Sequence, residues 1–190
     1  MSVKILVPLA EGFEEIEAVA IIDVLRRAEL EVVTASLTPG AVEGAHEIRV
    51  EPDAWLDELE LDSFDAIVLP GGMPGTRALM ADERVLGLVQ ELALAGKVTA
   101  AVCAAPLVLA AAGVITGREV TSHPAVREEL GAADGEVVGD PRVIESGAVI
   151  TSQGPGTSIE FALALVARFA SPEVAERLRA AMLVHAPPLR

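Results

Sequence analysis

The chain has little of several things that commonly announce a function. A single cysteine, Cys103, stands among 190 residues, so no internal disulfide can form. The three histidines, His46, His123 and His185, are scattered without the spacing of metal ligands, and no structural metal is expected. Positive charge is scarce: 14 Lys and Arg against 29 Asp and Glu give a formal net charge of -15. That balance repels phosphates and anionic lipid headgroups, and no basic cluster offsets it, so nucleic acid and membrane surfaces are poor partners. Only Lys4 and Lys97 are lysines; GC-rich codon usage accounts for this, with adaptation to high salt as the other reading. No apolar run is long enough to cross a bilayer. The opening "MSVKILVPLAEGFEEIEA" lacks the parts of a signal peptide, which sets the expectation of a cytoplasmic protein. Also missing are a complete G-x-G-x-x-G and a G-x-x-x-x-G-K-[ST], so no nucleotide cofactor is expected.

What is present is a hydrophobic content of 52%, ample for one core, and residues 1–190 read as one domain. Val3 to Leu9 is a nearly continuous apolar run, as in a strand covered on both faces. Glu14 to Leu30 has a helical period, with acids in its first turn and Arg26 and Arg27 near its end. A strand follows at Glu31 to Ser36. Residues 37–64 are irregular, with turns at Pro39-Gly40 and Pro52-Asp53 and a possible edge strand in "HEIRVE". The alternation then resumes with a strand at 65–70, a Gly/Pro loop, a helix around 82–95 and a strand at 97–102. After Cys103 come a short helix, a strand at 118–122 and a helix starting near Pro124. Residues 136–152 read as β with a hairpin turn at Ser146-Gly147, and 156–170 as an apolar helix. Ser171-Pro172 then caps and opens a last helix. Strands alternating with helices imply a mainly parallel sheet with helices on both faces, whose ligands bind beyond the carboxyl ends of the strands. Glu11-Gly12-Phe13, "PGGMPG" (70–75), Cys103, His123 and "QGPG" (153–156) all fall at such ends.

Cys103 lies between a strand and Pro106, which suits the first turn of a helix, so the thiol sits in a tight strand-to-helix turn like a nucleophile elbow. Amides and the positive helix end there favour a thiolate and a lowered pKa; burial as a small apolar side chain is the alternative. Stepping along the first helix by fours and threes gives Phe13, Glu17, Ile21, Val24 and Ala28, one carboxylate in an apolar stripe. Burial raises such a carboxyl's pKa and leaves it able to donate a hydrogen bond to a thiolate, unless the stripe is rotated to place Glu17 at the rim. Glu14 and Glu15 read instead as solvated first-turn acids serving the helix dipole. The glycines of "PGGMPG" let backbone amides approach a bound group, and with an amide after Cys103 they can face a developing oxyanion. His123 ends a strand, a position that suits an orienting or proton-transferring imidazole or a structural one. His46 and His185 lie at no parallel-strand end.

Taken in order, "EGFEEIEAV", "DAIVLPGG", "AAVCAAP", "VTSHP" and "TSQGPGTSIEFAL" resemble the ThiJ/PfpI superfamily, and within it the branch of Parkinson-disease-protein-like deglycases. The resemblance runs from Val3 to about Leu189. It implies a flavodoxin-like three-layer α/β sandwich and a homodimer, with the terminal helix from Pro172 packed over the fold near the site. By motif, it implies Cys103 as nucleophile and Glu17 as its hydrogen-bonded acid/base partner. His123 is then the nearby histidine, and Gly72 and Ala104 supply the oxyanion-hole amides. Two positions depart from the pattern. The usual C-x-G-P turn is Cys103-Ala104-Ala105-Pro106 here, so a helix-compatible backbone is expected at Ala105. Where some relatives carry an arginine near the oxidised cysteine, this chain has His46.

The activity so implied is a cofactor-independent, cysteine-dependent glyoxalase or deglycase acting on methylglyoxal, glyoxal or their early glycation adducts. The thiolate adds to the aldehyde, Glu17 moves a proton between adjacent carbons through an enediol, and hydrolysis releases a hydroxy acid. The rival readings are a redox-responsive protective or chaperone-like protein whose Cys103 oxidises to sulfinic acid, and, less favoured, a cysteine peptidase.

Overall fold

The first strand, β1 (Lys4–Leu9), is buried along almost its whole length: Leu6 faces one core layer, Ile5, Val7 and Leu9 the other. This computed structural model describes residues 3–133 and 135–184; His185 lies outside them. After β1 the chain forms α1 (Glu15–Arg27), β2 (Glu31–Ser36), β3 (Val42–Glu43), β4 (Arg49–Val50), β5 (Ala54–Trp55) and β6 (Ala66–Leu69). Then come α2 (Met73–Ala81), α3 (Glu83–Leu94), β7 (Val98–Val102), α4 (Pro106–Ala111), β8 (Glu119–Val120), α5 (Arg127–Gly131) and β9 (Glu136–Val137). The described chain closes with β10 (Val143–Ser146), β11 (Val149–Ser152), α6 (Ser158–Phe169) and α7 (Pro172–Ala181).

The main sheet has seven strands in the order β10-β11-β7-β6-β1-β2-β5, parallel except for the antiparallel edge β10. Helices α1, α6 and α7 cover one face and α2 to α5 the other, giving the flavodoxin-like α/β sandwich. From β1 the chain winds outward to β2 and β5, then returns to the other side of β1 for β6 and β7. The strand order therefore reverses between β1 and β6, and the loops leaving their carboxyl ends diverge into a crevice.

Several expectations need correction. The "HEIRVE" segment does not join the sheet edge: Arg49–Val50 pairs with Val42–Glu43 as a separate antiparallel ribbon, and the edge is Ala54–Trp55 beside β2. The Gly/Pro loop after β6 is shorter than expected, because Met73 already starts α2. Pro74 sits in its first turn, where a missing N–H costs nothing, and Asp82 separates α2 from α3 as an N-cap. The 118–122 strand reduces to Glu119–Val120, paired with Glu136–Val137 outside the main sheet. Near Pro124 the chain makes one 3-10 turn before α5, and a second such turn, Pro155–Thr157, precedes α6. The first helix ends at Arg27, and Glu29 at φ 59 turns the chain into β2. The β10–β11 hairpin turns at Gly147 (φ 68), and Ser171 caps α7 by accepting the Val174 N–H, both as read from sequence. Helix α7 packs along α6.

Candidate active site

Glu17 comes to the crevice from the first turn of α1. Glu14 caps that turn, its Oε2 accepting the Glu17 N–H at 2.8 Å. The stripe Phe13, Glu17, Ile21 and Val24 faces inward, and Glu17 is fully buried rather than at the rim. One carboxyl oxygen, Oε2, accepts the Gly71 N–H at 2.8 Å. The other, Oε1, is buried with no hydrogen-bond partner among the described residues, and the Cys103 thiol is the side chain that the carboxyl meets. Burial pushes the Glu17 pKa up to about 7, and the nearby charge of Glu14 adds to the rise. The thiol and the Gly71 amide oppose it. As the sequence suggests, burial favours the protonated form of this carboxyl.

Cys103 follows β7 directly. Its N–H donates to the Ser152 carbonyl at 3.0 Å and its own carbonyl accepts the His123 N–H at 2.9 Å. Its φ is 63, a left-handed conformation that costs a residue with a side chain about 1 kcal/mol or more and is characteristic of nucleophile elbows. Ala105 has φ -63 and ψ -19, so the helix-compatible backbone expected there is present, and the strained position is the cysteine itself. Pro106 then opens α4.

The third wall is Gly71-Gly72, after β6. Gly72, at φ 95, is the N-cap of α2, and a Cβ on it would lie 2.4 Å from the Gly12 carbonyl oxygen and 2.6 Å from the Glu14 nitrogen. A Cβ on Gly71 would stand 2.7 Å from both the Cys103 Cβ and Glu17 Oε2. Two glycines thus let three loops meet without a side chain between them. The amides of Gly72 and Ala104 both donate toward the Cys103 sulfur.

The thiol differs from the sequence expectation of a lowered pKa. Burial, then the charge of Glu17 and its hydrogen bond, push it up to about 12, and the Ala104 and Gly72 amides only partly offset this. Protonating Glu17 removes its charge and supplies a donor. The arrangement capable of chemistry is therefore a thiolate beside a protonated Glu17, one proton shared by two groups.

Of the sequence-predicted residues, Cys103, Glu17, Gly72 and Ala104 converge. His123 is attached through its backbone, while its exposed ring has Nδ1 accepting the Ala125 N–H at 3.2 Å. That ring makes no hydrogen bond with Cys103 or Glu17 among the described residues. The loop of Gly154 lies beside it, a Cβ there falling 3.5 Å from its Cδ2. Sequence reasoning passed over Gly71, although "PGG" carried the signal. It also took Glu14 and Glu15 for solvated acids, whereas both are buried beneath the segment that follows β3. Glu15 accepts the His46 N–H, and its Oε2 lies 2.8 Å from His46 Nδ1. Against desolvation, which raises it, these bonds hold the Glu15 pKa below its usual value, and they raise that of His46. Ligand atoms of Glu14, Glu15 and His46 lie within 4.8 Å of one another. Of these, Glu14 Oε2 accepts the Glu17 N–H, and Glu15 is bound by the backbone and ring of His46.

The profile of the DJ-1/PfpI family matches residues 3–168. This chain belongs to that family. It is 40% identical over 185 residues to the protein dj-1beta of Drosophila melanogaster, covering 97% of this chain and 98% of that one. The crystal structure of Drosophila DJ-1beta superposes with a TM-score of 0.93 at 39% identity, over 98% of this chain and 100% of that one. Identity to the protein DJ-1 homolog B of Arabidopsis thaliana is 43% over 183 residues, 95% of this chain but 41% of that protein, so the chain spans less than half of the plant relative. A third family member, the glutathione-independent glyoxalase DJR-1.2 of Caenorhabditis elegans, is 39% identical over 173 residues and 90% of each chain.

Proposed function

We propose that this chain is a cofactor-independent glyoxalase of the deglycase type, acting on methylglyoxal, glyoxal or their early adducts with amines and thiols. The observation that carries the reading is a buried carboxyl, its pKa pushed up by desolvation, against a thiol that also receives two backbone amides. The worm relative's name as a glutathione-independent glyoxalase supports the same chemistry.

The Cys103 thiolate adds to the aldehyde carbon, and the carbonyl electrons move to oxygen, which the amides of Gly72 and Ala104 stabilise. Glu17 gives that oxygen its proton, forming a hemithioacetal. The resulting carboxylate takes the C–H proton from the same carbon, the electrons passing to the neighbouring carbonyl as an enediol. Return of the proton to the neighbouring carbon, with the hydroxyl proton of the sulfur-bearing carbon passing to the neighbouring oxygen, gives a 2-hydroxyacyl thioester, and water hydrolyses it to the hydroxy acid and free Cys103. Methylglyoxal plus water thus becomes lactate, with no oxidant or metal needed. Glyoxal in equilibrium with its adducts is consumed in the same way, which is how a deglycase outcome arises. Lactate formation by wild type, Cys103→Ser and Glu17→Gln tests the proposal: loss in both variants is expected, and equal rates in all three would overturn it.

One feature favours a second role for the same cysteine. A thiol that gains two oxygens from two equivalents of peroxide, releasing two waters, becomes a sulfinate, and Glu17 and the two amides are placed to donate to those oxygens. Mass spectrometry after mild peroxide treatment should show two added oxygens on Cys103; an unmodified peptide would remove this reading. The His123 ring, turned to the Ala125 N–H, favours the Glu-Cys pair over a peptidase's Cys-His pair.

Self-association as a homodimer is supported by the apolar side chains of Ile16, Val19 and Ile48, which are 61%, 50% and 56% exposed on α1 and the loop before β4. Sedimentation of Val19→Asp should show a shift toward monomer. Among the described residues no helix is long and apolar enough to cross a membrane.

A further inference from the structure

Cys103 keeps a left-handed φ of 63, and a residue with a side chain stays in that conformation only where its surroundings fix the peptides on both sides of it. On one side its carbonyl is held by the His123 N–H; on the other its N–H is held by the Ser152 carbonyl. Rotation about the N–Cα bond of Cys103 is therefore limited by how firmly the Ser152–Gln153 peptide is itself held. The oxygen of that peptide takes the Cys103 N–H, and its own N–H, that of Gln153, donates to Thr157 Oγ1 at 3.3 Å. The next N–H along, that of Gly154, donates to the same oxygen at 3.0 Å.

Thr157 is 5% exposed and stands at the N-cap of α6, where a threonine ordinarily accepts an amide from the first turn of its own helix. It makes no such bond. The hydroxyl is turned back toward the end of β11 instead. There Ser152 Oγ donates to the Arg142 carbonyl at 2.7 Å, so in the 2.6 Å contact between the two hydroxyls Thr157 is the donor, with the Gly154 carbonyl at 2.9 Å as the other acceptor in its reach. Among the described residues, every partner of this hydroxyl belongs to residues 152–154, the segment that holds the Cys103 amide. We propose that Thr157 is a positioning residue for Cys103. Its hydroxyl locks the Ser152–Gln153 peptide, and that peptide keeps the cysteine at the φ that aims its sulfur at Glu17 and at the amides of Gly72 and Ala104. Without the hydroxyl the cysteine relaxes toward negative φ, and the sulfur swings away from the carboxyl.

The inference rests on Cys103 as the reacting group, and alkylation by iodoacetamide, followed by mass against pH, reads that thiol whether or not lactate forms. Failure here is thus told apart from failure of the lactate proposal. In the wild type the alkylation rate should rise through about pH 7, where the Glu17–Cys103 pair loses its first proton. In Thr157→Val the midpoint should move to about 8.5, that of a free thiol, and the rate at pH 7 should fall by roughly fivefold or more. Thr157→Ser restores the hydroxyl and should behave as the wild type, with far-UV circular dichroism showing that both variants fold. If Thr157→Val does not fold, Thr157→Ala, which sets no methyl against the two amides, takes its place. A role in stability alone lowers the unfolding midpoint and leaves the alkylation profile where it is. That outcome, or an equal shift in Thr157→Ser, would overturn the proposal.

Discussion

Two carboxylates two residues apart in α1 are both buried, yet they end in opposite states. At the outer edge of the turn, Glu15 is clasped by the backbone and ring of His46 and is held as an anion. At the inner edge, Glu17 has one amide for one oxygen and only a thiol for the other, and its pKa climbs to about 7. Both are covered, but Glu17 lies much the deeper of the two, and that depth is the main cause of its rise. Depth and the supply of donors for the charged form together set the two states apart. The clasp yields a fixed charge and a fastened loop; the inner pair yields a proton that can move.

The comparison breaks most severely at Glu17→Gln, which keeps the shape and removes the exchangeable proton. Lactate formation should fall roughly 10²–10⁴-fold. In the wild type the singly protonated Glu17–Cys103 pair forms as pH rises through about 7, so the rate should rise there and then level off; the variant should lose that inflection. Stability moves the other way. Because folding raises the Glu17 pKa, its protonated form is the one the fold accepts, and stability falls as pH rises toward and through about 7. Thermal unfolding of Glu17→Gln should therefore show a gain over wild type, on the order of 1–3 kcal/mol, at pH 8 but not at pH 4.

Gly71→Ala comes next. The added methyl meets Cys103 and Glu17 at once, so the inner pair must separate while the outer clasp is spared. Denaturant unfolding should show a loss of about 1–3 kcal/mol together with a drop in thiol reactivity toward an alkylating probe. His46→Gln sharpens the other side. The ionic part of the clasp requires Glu15 deprotonated and His46 protonated. Its contribution is lost as pH falls through the lowered Glu15 pKa and as pH rises through the raised His46 pKa. The variant should lose stability only inside that window, with the activity inflection near pH 7 retained. The smallest effect belongs to Ala105→Gly, which restores the commoner turn sequence. Since Ala105 is already helical, glycine should lower stability by about 0.5–1 kcal/mol and leave lactate formation unchanged.

Much of the inner site was legible from sequence because each part carries a local signal. Strands β1, β6 and β7 are nearly continuous apolar runs, and their ends are marked by Gly12, by Gly71-Gly72 and by Pro106. Glu17 betrayed itself by interrupting a stripe. The clasp carried no such signal: Glu14 and Glu15 look like ordinary first-turn acids, and what buries them arrives from residues 44–48, distant in sequence. The two-residue strands β3, β4 and β5 are too short to show a period of two. Helix α2 was hidden by Pro74 and Gly75, residues that suggest a loop but are tolerated in a first turn. The thiol's pKa direction was missed because helix-end amides are visible in sequence, whereas the depth of burial and the charge of Glu17 are not.

Both peptide groups of Cys103 are tied down, its N–H to Ser152 at the end of β11 and its carbonyl to the N–H of His123. Its amide exchanges with solvent when the carboxyl ends of β7 and β11 part, which means opening the sheet one strand in from its β10 edge. Deuterium uptake at Cys103 should accordingly be among the slowest in the chain. On heating, the reactive centre should disappear with the fold as a whole, rather than fray ahead of it.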